Sequence, residues 1–430
     1  MARKMKDSGI EWIGEIPEGW TCKRGKQLFV ETNERSKTGS EELLTVSHLT
    51  GVTPRSQKNV NMFMSESLVD YKVCHPGDLA ANTMWMWQGA IGVSRFHGVI
   101  SPSYNTYRQR TVNYIPEYLD YLLRIRPLVD TYNAYSTGIT LSRLRLYPQS
   151  FLSIHFIVPP MDEQQKIATY LDAECSHIDA MLAKTRSSIE EYKKLKQAVI
   201  TQAVTKGVRG EREMNDSGVE WIGEIPRGWK IAPMKHFIDI LPGYAFSSND
   251  FSSEDGIPLL RGINVGVNEI RWDETVRWNH PISKQIDSFS LKVNDLVVGL
   301  DRPWISDGTR VSFISKKDLP CLLLQRVCRI RIRCDSDIRW IYYWLSGNGF
   351  KESLTTETTG ISVPHISTKQ IEQFSIPFPK QSEQSQICDY LDAKCAEIDG
   401  LIAKKEQLVK ELESYKKSLI YEVVTGKREV

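Results

Sequence analysis

The sequence has little with which to catalyse a reaction. Its eight cysteines form no Cys-x-x-Cys pair, and the nearest two, Cys328 and Cys334, are too loosely spaced for a zinc knuckle. Reduced thiols of a cytoplasmic protein are the expected reading. The opening "MARKMKDSG" lacks the apolar stretch of a signal peptide, and no apolar run approaches the length of a membrane span. No membrane partner is therefore expected. No phosphate loop of the form Gly-x-x-x-x-Gly-Lys-Ser/Thr occurs, nor His-Glu-x-x-His, nor Gly-x-Ser-x-Gly. Pro159-Pro160, the sole Pro-Pro, lacks the polar and aromatic neighbours of an amino-methyltransferase loop. Glu191 and Lys193 are spaced as in some nucleases, but they fall on a helical face where paired charges are commonplace. The eight histidines are dispersed. No catalysis, metal site or cofactor is expected of this chain. The formal net charge is +2, so any basic surface must be local.

What is present is a chain that repeats itself. Met5–Trp20, "MKDSGIEWIGEIPEGW", returns as Met214–Trp229, "MNDSGVEWIGEIPRGW", with thirteen of sixteen positions identical at an offset of 209. "EQQKIATYLDAECSHIDAMLAK" from Glu163 returns as "EQSQICDYLDAKCAEIDGLIAK" from Glu383, at an offset of 220. The chain is therefore two tandem halves. The blocks between differ in sequence yet share landmarks. "PGDLA" (Pro76–Ala80) answers "VNDLV" (Val293–Val297), and "STGIT" (Ser136–Thr140) answers "TTGIS" (Thr358–Ser362). Short β-rich runs predict mixed α/β globules, each long enough for its own core.

The helical blocks carry alternating steps of four and three. The stripe runs Ile178, Leu182, Thr185, Ile189, Tyr192, Lys196, Val199, Ala203, and again Ile398, Ile402, Lys405, Val409, Leu412, Lys416, Leu419, Val423. Such a narrow stripe is a coiled-coil seam, and the economical partner for each is the other, running antiparallel. Asp162 and Ser382 are the expected N-caps, and Gly207 and Gly426 the stops. Thr185, Lys196, Lys405 and Lys416 interrupt the seam and are candidates for fixing register.

The opening motif reads as neither helix nor strand, being punctuated by glycine and proline. Its large apolar residues must dock somewhere: on the neighbouring block, or on another subunit. Trp12, Ile13, Trp20, Trp221, Ile222 and Trp229, with Tyr170 and Tyr390 of the helical starts, are the candidate partner-binding residues.

Residues 21–158 hold fifteen Lys/Arg and ten Asp/Glu, a net of +5, and residues 230–377 hold eighteen against seventeen, a net of +1. DNA affinity would therefore come from clusters. In "QRVCRIRIRC", Arg329, Arg331 and Arg333 share a strand face, either as a phosphate track or as a solvated strand paired with Asp335 and Asp337. "NTMWMWQGAIG" (Asn82–Gly92) and "GLDRPWISDG" (Gly299–Gly308) hold matching places after the "DL" strands. Gln88 suits adenine and Arg302 suits guanine. The candidate DNA-binding residues are Ser47, His48, Asn82, Trp85, Trp87, Gln88, Thr137, Thr140 and Arg143 in the first half. In the second they are Arg261, Asn264, Arg302, Arg310, Arg329, Arg331, Thr359, Ser362 and His365.

The doubled "DSG(I/V)EWIGEIP", the doubled "EQ..I..YLD" helical starts and the "TGI" turns before them resemble the specificity subunit of a type I restriction–modification enzyme, over essentially the whole chain. The resemblance implies an α+β fold: two pseudo-twofold-related mixed α/β target recognition domains separated by two long antiparallel coiled-coil helices. The domains expected are a motif at 1–20, a recognition domain at 21–161, a central helix at 162–207 and a linker with the repeated motif at 208–229. A second recognition domain at 230–381 and a C-terminal helix at 382–426 follow. The resemblance also implies that each domain reads half of an asymmetric double-stranded DNA site, with the helices setting the spacer. Two modification (methyltransferase) subunits would bring S-adenosylmethionine, and restriction/translocase subunits ATP and Mg. A two-lobed adaptor that holds proteins rather than DNA is the alternative.

Overall fold

Each variable block begins and ends on one two-stranded antiparallel ribbon. Thr21–Arg24 pairs with His155–Val158, and Lys230–Pro233 with Ser375–Phe378. The computed structural model describes residues 3–58, 67–140, 143–305, 308–355 and 365–430. The chain divides into two units, Met1–Arg186 with Glu406–Val430, and Ser187–Lys405.

The same four-stranded antiparallel sheet is built in each unit. In the first, the order is Phe29–Thr32, Asn105–Gln109, Leu79–Ala81, Ile91–Val93. In the second it is Ile238–Pro242, Val327–Ile332, Leu296–Gly299, Val311–Phe313. The "DL" landmarks open the third strand of each. Their aspartates explain the shared spelling. Asp78 accepts the His75 N–H at 3.0 Å and the fork of Arg108 at 2.7 and 2.7 Å. Asp295 accepts the Lys292 N–H at 2.7 Å and the fork of Arg331 at 2.5 and 2.7 Å. Both carboxylates are buried, and a buried charge must be paired. The residue before each, Gly77 or Asn294, takes positive φ (90° and 68°), as the tight turn into the strand requires.

The second block adds a further sheet of Phe251–Ser252, Arg277–Trp278, Ile257–Leu260 and Leu322–Leu323, with apolar clusters of its own around Leu260, Val297 and Leu323, and around Phe246 and Leu259. Val297 lies on the strand face opposite Leu296 and Val298, so that strand is buried on both faces.

The long helices are Met161–Lys206 and Gln381–Val424. They begin one residue earlier than expected, so Asp162 and Ser382 lie inside the first turn. The carbonyls of Pro160 and Lys380 receive the first helical bonds, from Gln164 and Gln384, at 3.0 Å in both units. Gly207 and Gly426 end the helices at φ 76° and 73°. Within the first unit Arg186 meets Glu413 at 2.5 Å and Lys416 meets Asp179 at 2.6 Å; within the second Lys196 meets Asp399 at 2.6 Å. Rising numbers on one helix meet falling numbers on the other, so the segments run antiparallel. The polar interruptions of the seam are partnered. Lys416 and Lys196 are 220 apart, as are Asp399 and Asp179, so one ion pair is made twice. Lys405 lies 5.7 Å from the Tyr192 ring, and Thr185 Oγ donates to the Met181 carbonyl at 2.8 Å.

Each block docks on its long helix through equivalent groups. Tyr121 Oη donates to Asp172 at 2.8 Å, and Tyr343 Oη to Asp392 at 2.5 Å. Buried Gln164 and Gln384 accept the Ile115 and Asp337 N–H at 3.0 Å and donate to Pro159 and Pro379 at 2.9 Å. Asp337 also caps helix Ile338–Ser346. Burial alone would raise its pKa, but hydrogen bonds and charge from Arg339, with Ser385, hold it below the usual carboxylate range. A folded pKa below the unfolded one adds stability above the unfolded value of about 3.9, which is lost as pH falls through the folded pKa. Asp337→Asn should therefore flatten the acid limb of second-unit unfolding, read by urea melts from pH 6 downward. An unchanged limb refutes the assignment.

Candidate nucleic-acid interface

The motif that the sequence repeats is a short hairpin, not an irregular peptide. Met5–Asp7 pairs with Glu15–Pro17, and Met214–Asp216 with Glu224–Pro226. Asp7 and Asp216 accept the N–H of the glycine two residues on, at 2.9 and 3.0 Å, and Gly9, Gly14, Gly218 and Gly223 take positive φ. Its apolar face is spent within its own unit. Ile13, Ile16 and Trp20 join the core that holds Ile167, Leu171, Leu419 and Val423, and Ile222, Ile225 and Trp229 join that of Ile200, Val204, Ile387 and Leu391.

Trp20 Nε1 donates to Glu163 at 2.9 Å under the guanidinium of Arg3, 5.3 Å from the ring. Trp229 Nε1 donates to Glu383 at 3.3 Å under Arg212, 5.7 Å away. A Cβ on Gly426 would lie 2.9 Å from Trp20, and one on Gly207 3.4 Å from Trp229. Each motif thus seals one end of the helical pair, where one helix starts and the other stops. Each unit holds one such helix start and one such helix stop, and each carries one copy of the motif.

This corrects the assignment of Ile13, Trp20, Ile222 and Trp229 as partner-binding residues: they are buried, because an apolar face folds onto the nearest apolar groove its own chain provides. Trp221 stacks on Phe374 at 5.0 Å, Trp12 packs partly on the core, and Tyr170 is half-buried. Tyr390 is exposed.

The loops after the third strands are unlike each other. In the first unit Asn82 is buried. Its amide donates to Tyr104 Oη at 2.8 Å and accepts the Met84 N–H at 3.2 Å, so it shapes the loop and does not face outward. Trp85, 48% exposed, stacks on Trp87 at 6.0 Å, and Trp87 Nε1 donates to the Met84 carbonyl at 3.0 Å. Gly89 at φ 86° leaves no room for a side chain, since a Cβ would meet Val129 at 2.8 Å. Gln88 is half-buried beside it. Val129 belongs to helix Arg126–Tyr135, whose C-terminal end feeds the "TGI" turn. There Thr137 pairs with Arg145, the Arg143 N–H donates to the Thr140 carbonyl at 2.8 Å, and Thr137, Thr140 and Arg143 are exposed. Ser47 ends strand Leu44–Ser47 half-buried, and His48 is exposed in the turn that follows.

In the second unit the corresponding loop carries charges of both signs, with Asp301 and Asp307 as well as Arg302 and Arg310. Arg302 is exposed, and Arg310 Nε donates to the Val265 carbonyl at 2.8 Å. Burial, Arg271 and Arg302 together lower the Arg310 pKa. His365 Nδ1 lies 2.6 Å from Asp301. Thr359 and Ser362 lie outside the described residues.

Three further expectations are corrected. Arg329 is buried and bonded to Asp239 at 2.9 Å, and Arg331 is forked onto Asp295, so they are no phosphate track. Their partners are Asp239 and Asp295 rather than Asp335 and Asp337, because a strand's lateral neighbours come from other strands. Asn264 is buried, donating to the Arg271 carbonyl at 2.8 Å. Arg261 is half-buried, with its side chain bonded to the Glu274 carbonyl, and stays a candidate. Arg326, which drew no attention in the sequence, pairs with Asp301 at 3.4 Å. Its turn carries no motif, and only the fold brings it there.

Among the described residues no group of three or more His, Cys, Asp or Glu is placed to hold a metal, and no helix is long and apolar enough to cross a membrane. Burial pushes the Cys74, Cys321 and Cys328 thiols up to about 12.

A family model described as the type I restriction modification DNA specificity domain matches residues 226–411. The chain is 28% identical over 346 residues to the type I restriction enzyme MjaVIII specificity subunit of Methanocaldococcus jannaschii, spanning 80% of this chain and 78% of that one. It is 36% identical over 191 residues to the EcoAI specificity subunit of Escherichia coli, spanning 43% of this chain and 32% of that one. The fold is similar to a chain solved in a study of assembly and conformational transition of the type I R-M system, with TM-score 0.71, 15% identity and coverage of 95% and 98%. It is also similar to the HsdS subunit of Thermoanaerobacter tengcongensis, with TM-score 0.50, 17% identity and coverage of 96% and 98%.

Proposed function

Because the chain belongs to the specificity subunits of type I restriction–modification systems and so supplies DNA recognition, we propose that each unit reads one half of an asymmetric, bipartite site in double-stranded DNA. The helical pair sets the unread spacer and holds two modification subunits, which carry S-adenosylmethionine and methylate. Restriction/translocase subunits supply ATP- and Mg-dependent work. This chain selects and does not catalyse.

One observation carries the reading. The two units repeat their frame residue for residue, in the Trp–Glu–Arg seals and the Asp–Arg forks, while the loops on that frame differ: Trp85, Trp87 and Gln88 in one, Arg302, Arg310 and His365 in the other. A constant frame with unlike loops suits two different half-sites. Thr137, Thr140 and Arg143, with Ser47 and His48, are the remaining candidates of the first unit. The paired Lys–Asp contacts of the helices support a fixed register, as a spacer ruler needs.

The test is block exchange. Residues 230–378 begin and end at the paired Lys230–Pro233 and Ser375–Phe378, so a foreign block can enter without replacing the helix that starts at Gln381. Co-expressed with its modification subunits, the chimaera should change one half of the methylated sequence and leave the other, as read by sequencing methylated genomic DNA. A change in both halves refutes the reading. DNA affinity of the complex should also fall steeply with salt, since phosphate contacts release counterions.

A further inference from the structure

Three segments remote in sequence converge on Leu300 and Asp301. The Leu300 N–H donates to the Arg326 carbonyl at 2.9 Å, and the Ile366 N–H donates to the Leu300 carbonyl at 2.9 Å. Asp301 and His365 form an antiparallel bridge. The Asp301 carboxylate, through Oδ1, then takes Arg326 Nη1 at 3.4 Å and His365 Nδ1 at 2.6 Å. Arg310 Nη1 donates to the Asp301 carbonyl at 3.2 Å. Asp301 thus gathers Arg326 and His365 at its carboxylate and Arg310 at its carbonyl, around the loop that follows the third strand.

Arg326 and Arg302, the residue after Asp301, sit on backbone that the fold alone would give to glycine. Arg326 has φ 72° and Arg302 φ 45°. Side chains other than glycine, asparagine and aspartate are uncommon there, and strain of this kind gathers at functional sites. The Arg326 side chain is 60% exposed. Among the described residues it is bonded through Nη1 alone, and a two-point bond would use Nε and Nη2.

We propose that Arg326, aimed by Asp301, is a base-reading arginine of the second unit and takes the N7 and O6 acceptors of one guanine in the major groove. The inference rests on the DNA-reading function above. A phosphate contact would gain nothing from the carboxylate, which weakens attraction to an anion. A base edge is neutral and demands direction, which the carboxylate supplies. Asp301 is a positioning residue in this scheme.

The full-length chain in complex with its modification subunits is assayed for methylation on duplexes carrying every single-base change of the wild-type site. Arg326→Gly removes the side chain at a φ that glycine adopts freely, and Arg326→Lys keeps the charge but loses the fork. Both should lose discrimination by roughly 10- to 100-fold at one guanine of the second unit's half-site. The other half should be untouched, and Arg326→Gly should unfold at or above the wild-type temperature. Asp301→Asn should relax the same position. A uniform loss across all sequences, with the salt slope reduced by about one, would mark a phosphate contact and overturn the inference. So would unaltered discrimination at every position, whether or not Arg326→Gly is destabilised. A wild-type complex with no two-part preference would instead sink the DNA-reading function itself.

Discussion

Trp20→Ala is expected to destabilise the first unit by about 3–5 kcal/mol, the range for deleting a large buried aromatic. Trp20 has no solvent exposure, bonds Glu163 through Nε1, and lies against the glycine that ends the second long helix. Its loss opens a cavity where the two helix ends meet and leaves the Arg3–Glu163 pair without its platform. Domains of this kind have about 5–15 kcal/mol in total, so the loss is a large fraction of the whole. Thermal unfolding of the first unit should fall by roughly 10 °C, and amide exchange over Leu419–Val424 should accelerate. Trp12→Ala, at a half-buried ring, should cost clearly less. Equal melting of Trp20→Ala and wild type would show that the motif does not seal the helix end.

Arg331→Ala carries the second large effect, for a reason opposite to the one its sequence suggests. Removing the guanidinium leaves the Asp295 carboxylate, only 4% exposed, without its two charge-assisted bonds. Breaking a buried pair from one side typically costs about 3–5 kcal/mol. Because the Arg331 side chain is 32% exposed, water can partly replace it, and about 3 kcal/mol is expected in the second unit. Arg331→Ala with Asp295→Asn should recover part of that loss, since an amide still accepts the Lys292 N–H and carries no charge. Denaturant melts of the single and double variants form the cycle. Were Arg331 a phosphate contact, Arg331→Ala would melt like wild type and bind DNA with a reduced salt slope.

Several sequence readings correspond to structure for identifiable reasons. The four-three stripe lies in the helical pair because seam periodicity is a property of consecutive residues. Gly207 and Gly426 stop the helices because positive φ is a local demand. The "DL" landmarks match because one carboxylate must do the same task in both sheets. The failures are equally specific. Asn82 and Asn264 look like base readers in a one-dimensional text, yet both amides are spent on backbone or hydroxyl groups folded around them. The arginines of "RIRIR" look free until the neighbouring strands bring Asp239 and Asp295 beside them.

By itself, the sequence determined that the chain is built twice, that each half ends in a long helix with one apolar stripe, and that unlike blocks interrupt a common frame. These are statements about order and spacing along the chain. Tertiary structure alone decided that the tryptophan motif closes a helix end, that Arg329 and Arg331 are paired to aspartates of neighbouring strands and turns, and that Arg326 stands beside Asp301. The physical reason is that burial and charge pairing depend on which remote residues arrive within a few ångströms, and Asp239, Asp295 and Asp301 lie 90, 36 and 25 residues from the arginines they bind.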